Sequence, residues 1–322
     1  MSEGQLVSVV VPAYNAQATL DETLQSVREQ THRALEIIVV DDGSTDATRA
    51  LAERHAAADP RVVVMHQPNA GVAAARNAGW QRARSEFIAF VDADDLWAPT
   101  KIERQLALLR GAGDEVGLVY CWHSKIDAAG RIAIRQESPL HEGNVLEPII
   151  SSNFIGNGSS VLIRRDALAA AGGFDAGLQA QGAQGCEDYL LYYRVAASRR
   201  FALLAQRLVG YRDLPHNMSS DRPRMLRSWL LVQGEILKDH PERARAVARS
   251  ARDYTAWLVG DALSHRAWQQ VAPLLWTLGG RHPGSALQVL VKHALRAAAR
   301  RLVRRRAAET MAAERPTHFR SP

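Results

Sequence analysis

Glu86-Phe87-Ile88-Ala89-Phe90-Val91-Asp92-Ala93-Asp94-Asp95 is the stretch whose reading decides the fold. Residues 86–91 form an apolar run of strand length. The run empties at once into three carboxylates within four residues, followed by Leu96, Trp97 and Pro99. A buried strand that ends in clustered acids places them at the strand's carboxyl edge, where open α/β sheets bind ligands. Acids packed this tightly repel one another, so a cation belongs between them. Oxygen-only ligands suit Mg²⁺ or Mn²⁺, ions that usually hold substrate phosphates as well. Taken alone, Asp92-Ala93-Asp94 reads equally well as a solvated acidic turn or a helix cap with spare acids. The flanking sequence decides between these readings.

Upstream, the Val-rich run 6–11 reads as a strand buried on both faces, closed by Pro12-Ala13-Tyr14-Asn15. Thr19-Leu20-Asp21-Glu22 matches a capping box, and Leu20, Leu24 and Val27 make a helical stripe. A second buried strand, 35–40, runs into Asp41-Asp42-Gly43-Ser44-Thr45-Asp46. Ser44 is a candidate N-cap for the helix through His55, with Asp41 or Asp46 the alternatives. A third strand spans 62–65, and an Ala-rich helix over 71–84 is entered from Asn69-Ala70-Gly71. The order β-α-β-α-β-α-β with short loops predicts an α/β fold with a mostly parallel, doubly wound sheet. Right-handed crossovers set the loops 12–15, 41–46 and 92–95 side by side at one edge. Three converging polar loops argue for a nucleotide or phosphate site there. No Gly-x-Gly-x-x-Gly follows the first strand and no Gly-x-x-x-x-Gly-Lys-Ser/Thr occurs, which removes the main support for a dinucleotide dehydrogenase or a P-loop NTPase. Phosphates are then held by metal rather than by a glycine loop.

A chain of 322 residues holds two domains, or one large domain with an appendage. The net charge of +6 is unevenly spread. From Arg281 onward there are ten Lys/Arg and two Asp/Glu, so that tail carries +8 and the remainder −2. The basic character belongs to the tail, and no nucleic-acid partner is expected. Cys121 and Cys186 give neither a disulfide framework nor a metal-spaced cluster, as expected of a reducing cytosol. The start, Met-Ser-Glu-Gly-Gln, has no basic or apolar leader character, and no apolar run approaches 18 residues. The expected location is the cytoplasm, with peripheral attachment to the inner face of the membrane left open.

Four motifs resemble family 2 glycosyltransferases of the GT-A fold. They are Val-Ser-Val-Val-Val-Pro-Ala-Tyr-Asn (7–15), Val-Asp-Asp-Gly-Ser-Thr-Asp (40–46), Asn-Ala-Gly-Val-Ala-Ala-Ala-Arg-Asn-Ala-Gly (69–79) and Asp-Ala-Asp-Asp (92–95). Gly172-Gly173-Phe174-Asp175 and Glu187-Asp188-Tyr189 continue the pattern, so the resemblance covers about 6–220. It implies that Pro12 and Tyr14 frame a nucleobase and that Asp42 accepts from its imide nitrogen with Asp41 close by. Asn15, Asn69 and Ala93 belong to the same nucleotide-sugar site. Arg76 reaches the nucleotide, Asp92 approaches the ribose, and Asp94, with Asp92, binds a Mn²⁺ or Mg²⁺ ion bridging the diphosphate. Asp188 is the implied general base, with Glu187 orienting the acceptor or the loop. Inverting transfer needs a carboxylate on the acceptor hydroxyl and a Lewis acid on the departing diphosphate, on opposite sides of the sugar.

Each assignment has a plainer rival: Tyr14 as core, Asp188 as a first-turn acid favoured by the helix dipole, Trp97 and Cys186 as packing. Further on, 116–122 reads as a strand, 125–132 as a hairpin and 201–211 as a strand pair. Tyr211-Arg212 resembles the family's closing segment, but Asp213 and Leu214 stand where many members have a histidine. His216, displaced, is a candidate metal ligand or a surface residue. The implied activity is transfer of a single sugar from a nucleoside diphosphate sugar to a hydroxyl of a glycan or lipid-linked acceptor of a bacterial envelope or exopolysaccharide. UDP comes first among the nucleotides, with dTDP and GDP open. A nucleotidyltransferase and a non-catalytic nucleotide-sugar-binding protein are the rival functions.

The catalytic domain is expected over 1–221, a helical region over 222–306 and a disordered tail over 307–322. The helices break near Pro241, His265 and 281–284, and the last spans about 285–306. Its stripe of Leu287, Val291, Leu295, Ala298 and Leu302 opposes Lys292, Arg296, Arg300 and Arg304. This pattern fits docking on the body or on an anionic membrane surface.

Overall fold

The computed structural model describes residues 4–135, 140–214 and 217–293. The chain divides into two compact units, Met1–Glu242 and Arg243–Pro322. In the first, β1 (Val7–Ala13), α1 (Leu20–Arg28), β2 (Leu35–Asp41), α2 (Thr48–Ala58), β3 (Val62–His66), α3 (Val72–Arg82) and β4 (Phe87–Phe90) alternate in sequence. They are followed by β5 (Leu96–Trp97), α4 (Lys101–Gly111), β6 (Val116–Ile126), β7 (Ile132–Arg135), α5 (Leu146–Ser151), β8 (Val161–Arg164), α6 (Arg165–Ala170) and α7 (Gly177–Ala180). The unit closes with α8 (Glu187–Ala196), β9 (Arg200–Arg212) and α9 (Arg222–Asp239).

The sheet runs β3-β2-β1-β4-β8-β6-β9-β5, with β7 on β6. The first four strands pair in parallel, as the alternating pattern predicts. β8 is antiparallel to both β4 and β6, whereas β6 and β9 are parallel. All seven residues of β1 and of β2 are buried, because helices cover both faces of a parallel sheet. Gly79 lets α3 lie against these strands: a Cβ there would come 2.3 Å from Val10 Cγ1. The chain builds 1-2-3 in one direction and then returns to place β4 on the other side of β1. That reversal opens a crevice at the carboxyl ends of β1 and β4.

Three local expectations are corrected. Thr19 forms no side-chain cap; its hydroxyl donates instead to Ala93 O (2.8 Å), because the acidic loop lies directly over the start of α1. Ser44 does not cap α2; Asp46 Oδ1 accepts from Thr48 N (2.9 Å), and Ser44 Oγ accepts from Asn15 N. The expected strand pair at 201–211 is one long strand, β9, held along β6 across three register shifts.

The first unit runs past residue 221 because α9 packs on α8. Gln233 Nε2 donates to Tyr189 Oη (2.8 Å), Tyr193 Oη donates to Asp239 Oδ2 (2.9 Å), and the Tyr189 and Trp229 rings stack at 4.4 Å. The second unit contains α10 (Ala244–Ser264), α11 (Val271–Arg281) and a helix over 283–293. The breaks fall at the predicted places. Among the described residues no helix is long and apolar enough to cross a membrane.

Candidate active site

The acidic loop after β4 is held by residues from four other parts of the unit. Ala93 O accepts from Thr19 and Thr23 hydroxyls on α1. Asp92 N–H donates to Ser159 Oγ (3.0 Å), and that hydroxyl donates to Asp95 Oδ2 (2.5 Å). Trp97, buried as packing, donates from Nε1 to Ser159 O and covers Lys101 Nζ at 3.9 Å. Arg212, at the end of β9, is the loop's principal clamp. Its backbone N–H donates to Asp95 Oδ1, its Nε to Asp94 O (2.8 Å), its Nη1 to Ala128 O and its Nη2 to Glu22 (2.6 Å). Asp95 is fully buried and thus anchors the loop from inside. Burial, then the charges of Asp94 and Asp92, hold its pKa well above the carboxylate range. Asp94 keeps its carboxylate uncommitted to these clamps, and burial, then repulsion from Asp92, pushes its pKa up to about 6. Both shifts mark a place where a cation is electrostatically welcome.

The neighbouring loops form the other wall. Pro12 is buried in β1, while Tyr14 is 52% exposed, which removes the core reading of that ring. Asn15 adopts φ 49°, with its N–H on Ser44 Oγ and its Oδ1 accepting from Thr45 N. Asp41 Oδ1 accepts from Ser44 N, and its Oδ2 lies 3.0 Å from His66 Nδ1. Asp42 is buried and grips the next loop, accepting from Ala70 N (2.9 Å), Gly71 N (2.8 Å) and Gln67 Nε2 (2.7 Å). Asn69 Nδ2 returns a bond to Asp42 O. The loops 12–15, 41–46 and 67–71 are thus knitted together.

Arg76, on α3, joins the two acidic clusters. It is 5% exposed, pairs through Nη2 with Asp92 Oδ1 (2.5 Å) and lies 5.1 Å over the Phe174 ring. Burial, the largest single effect, lowers its pKa, but the charge and hydrogen bond of Asp92 together with the charges of Asp188 and Glu187 raise it on balance. Among the described residues its Nε has no hydrogen-bond partner. Phe174 is placed by the Gly172-Gly173 turn, both glycines at positive φ, and by Asn77, whose Oδ1 accepts from Phe174 N and whose Nδ2 donates to Phe174 O. Gly158 leaves room for the guanidinium: a Cβ there would lie 2.8 Å from Arg76 Nη2.

Glu187 and Asp188 open α8 and are buried. Glu187 accepts from Gly185 N (2.7 Å), which orients the preceding loop, and burial raises its pKa. Asp188 accepts from Tyr189 N, and burial raises its pKa to about 6 against the pull of Arg76. A helix N-terminus favours the charged form, so the net upward shift shows that desolvation dominates. A buried carboxylate near pKa 6 is suited to accept a proton at neutral pH.

The structure therefore brings Asp92, Asp94, Arg76, Glu187 and Asp188 into one electrostatic cluster and places Asp41, Asp42, Asn15 and Asn69 on the adjoining loops. His216 lies outside the described residues. Sequence reasoning missed Ser159, Arg212 and Asn77 as supports. Arg212 left a trace in the Tyr211-Arg212 pair and Asn77 in the 69–79 motif, but neither was assigned a role. Among the described residues no three His, Cys, Asp or Glu side chains form an ion cage. The donor set fits instead a Mg²⁺-like or Mn²⁺-like ion held by one or two carboxylates, Asp94 and Asp92, and completed by substrate phosphates. A shallow hollow lined by Gln17, Ala47, Leu51 and Arg54 lies apart and offers no acid or base pair.

A mixed sheet whose parallel half carries, at its switch-point crevice, an acidic loop, a buried arginine and a second acidic pair has the build of a nucleotide-sugar transferase. Residues 8–169 match the model for glycosyl transferase family 2, half of the chain, and the chain belongs to that family. It is 46% identical over 119 residues to the protein designated glycosyltransferase EpsH in Bacillus subtilis (strain 168), covering 37% of this chain and 34% of that one. It is 42% identical over 105 residues to the protein designated teichuronic acid biosynthesis glycosyltransferase TuaG of the same strain, covering 32% of this chain and 42% of that one. The matches thus span well under half the length of these curated relatives. The solved structure of S. aureus TarS 1–349 with UDP-GlcNAc superposes at TM-score 0.66 and 19% identity over 86% of this chain and 80% of that one. The mannosyltransferase PcManGT from Pyrobaculum calidifontis, solved with GDP-Man and Mn²⁺, gives 0.60 and 22% over 90% and 80%. At these identities the likeness is one of fold.

Proposed function

We propose that the protein is a metal-dependent, inverting glycosyltransferase that moves one sugar from a nucleoside diphosphate sugar to a hydroxyl of an envelope glycan or lipid-linked acceptor. The single observation that carries this reading is Arg76, buried between two acidic clusters at the switch point. The clusters differ in what they can do. Asp94 and Asp92 lie at the β4 edge, where a diphosphate and its ion belong. When bound, the ion neutralises charge on the departing diphosphate. Asp42, Asn69 and the exposed Tyr14 line the nucleotide side. Arg76 orients the donor between the clusters.

Asp188 faces the other cluster across Arg76. It takes the proton of the acceptor hydroxyl as that oxygen bonds to the anomeric carbon and the bond from that carbon to the phosphate oxygen breaks. The configuration at that carbon is thereby inverted. Glu187 holds the loop before α8 in place. The designation of TuaG and the UDP-GlcNAc and GDP-Man complexes of the structural neighbours support a sugar nucleotide donor and an envelope polymer acceptor. UDP is the first nucleotide to test.

The experiment is a melting screen of UDP-, dTDP- and GDP-sugars with and without Mn²⁺, followed by NMR assignment of the product anomer. Binding to the native state alone raises the transition by mass action. A metal-dependent shift with one nucleotide class and an inverted product is expected. No shift with any donor, or a retained anomer, refutes the proposal.

A further inference from the structure

The second unit has an outer surface unlike that of an ordinary soluble helical module. Each of its helices buries one face and turns a large apolar residue the other way. On α10, Thr255, Ala256, Leu258 and Val259 are buried, whereas Trp257 between them is 55% exposed. On α11, Leu274 and Leu278 are buried, and Trp276 on the opposite side is 85% exposed. Trp268, on the turn before α11, is 63% exposed. On the helix over 283–293, Val289 is buried while Leu287, Leu290 and Val291, at i, i+3 and i+4, form an exposed stripe. All three tryptophans of this unit are exposed, and none of the four in the first unit is. Soluble helices give such positions to charged residues.

Charge says what covers this surface. Residues 243–322 hold fifteen Lys/Arg against four Asp/Glu, a net +11, so the remaining 242 residues carry −5. Within 243–293 the only acids are Asp253 and Asp261, against seven Lys/Arg. A second copy would bring the same positive charge to the contact and be repelled. An anionic bilayer offers both complements at once: headgroup charge for the arginines and an interface in which indole rings settle.

We infer that the second unit is a peripheral docking module for anionic phospholipid bilayers, with Trp257, Trp268 and Trp276 as its interfacial anchors. The inference does not depend on the donor-site reading. Its charge term acts only within a Debye length, ~8 Å at physiological ionic strength and ~3 Å at 1 M salt, so salt weakens it.

The test is flotation of the full chain with phosphatidylglycerol-containing vesicles and with pure phosphatidylcholine vesicles, beside the triple variant Trp257→Ser/Trp268→Ser/Trp276→Ser. The full chain should float with the anionic vesicles, release in 1 M salt and ignore the neutral ones. Because the indoles are exposed, the triple variant should melt like the parent and partition at least about tenfold more weakly. Brominated lipids should quench the parent's tryptophan emission, a reading that needs no variant. Equal recovery of parent and triple variant, equal binding to neutral vesicles, or no quenching overturns the inference. So does sedimentation showing that the parent self-associates while the variant stays monomeric.

Discussion

Replacing Asp188 by asparagine should make the protein more stable and nearly inactive at once. Burial raises this carboxyl's pKa from the usual 3.8 to about 6, a shift Arg76 only partly opposes. Below about pH 4 the group is neutral in both the folded and unfolded chain. Between pH 4 and 6 the unfolded chain ionises first, so stability falls as pH rises, and above pH 6 the full cost is present. Two pKa units correspond to about 3 kcal/mol, the ceiling on what the variant can regain at pH 7.5. For a unit of this size that is an upward shift in Tm of up to roughly 6–12 °C. The asparagine Oδ1 can keep the bond from Tyr189 N. Melting curves at pH 4.5 and 7.5 read the effect, and turnover read alongside should fall by about 10²–10⁴. A variant less stable than the parent at pH 7.5, or one whose gain is the same at both pH values, contradicts the burial argument. Near-normal turnover would move the proton acceptor elsewhere, with Glu187 next.

Asp94→Asn should abolish Mn²⁺-dependent donor binding without destabilising the free protein, as calorimetry and melts can show; unchanged binding removes Asp94 from the metal site. In the parent, kcat should fall tenfold per pH unit below about pH 6 as Asp188 protonates, and a flat profile to pH 5 contradicts its assignment. Gly158→Ala should push the Arg76 guanidinium out of line and raise KM for the donor roughly tenfold to a hundredfold with little change in melting; an unchanged KM shows that the guanidinium position does not matter. Ser159→Ala should cost about 1–3 kcal/mol in denaturant titrations by leaving buried Asp95 short of a donor, and a neutral result means that Asp95 finds another partner.

The parallel half of the sheet was legible because its strands are continuous apolar runs and its loops are short. The acids at the strand ends were legible for the same reason: nothing in a buried strand explains Asp92, Asp94 or Asp42, so their place at the edge stood out. The antiparallel half was harder. β8 lies between β4 and β6, yet it follows β6 by some thirty-five residues, and no local pattern carries that pairing. The caps were misread because Thr19 and Ser44 are used across the fold, by Ala93 and Asn15, rather than along their own helices. Ser159 and Asn77 are ordinary residues by type, and only three-dimensional proximity shows them holding Asp95 and Phe174.

Arg212 has a consequence for the order in which the protein becomes competent during synthesis. It joins Glu22, Asp94 and Ala128, so one guanidinium spans 190 positions of chain. A nascent chain can complete β1 to β4, and with them the nucleotide loops, long before β9 leaves the ribosome. Until then Asp94 and Asp95 face each other without the residue that fixes their backbone. On the proposed site, the half-made enzyme would therefore have its nucleotide loops but no rigid seat for an ion. Arrested translation products would be expected to act as weak binders without turnover.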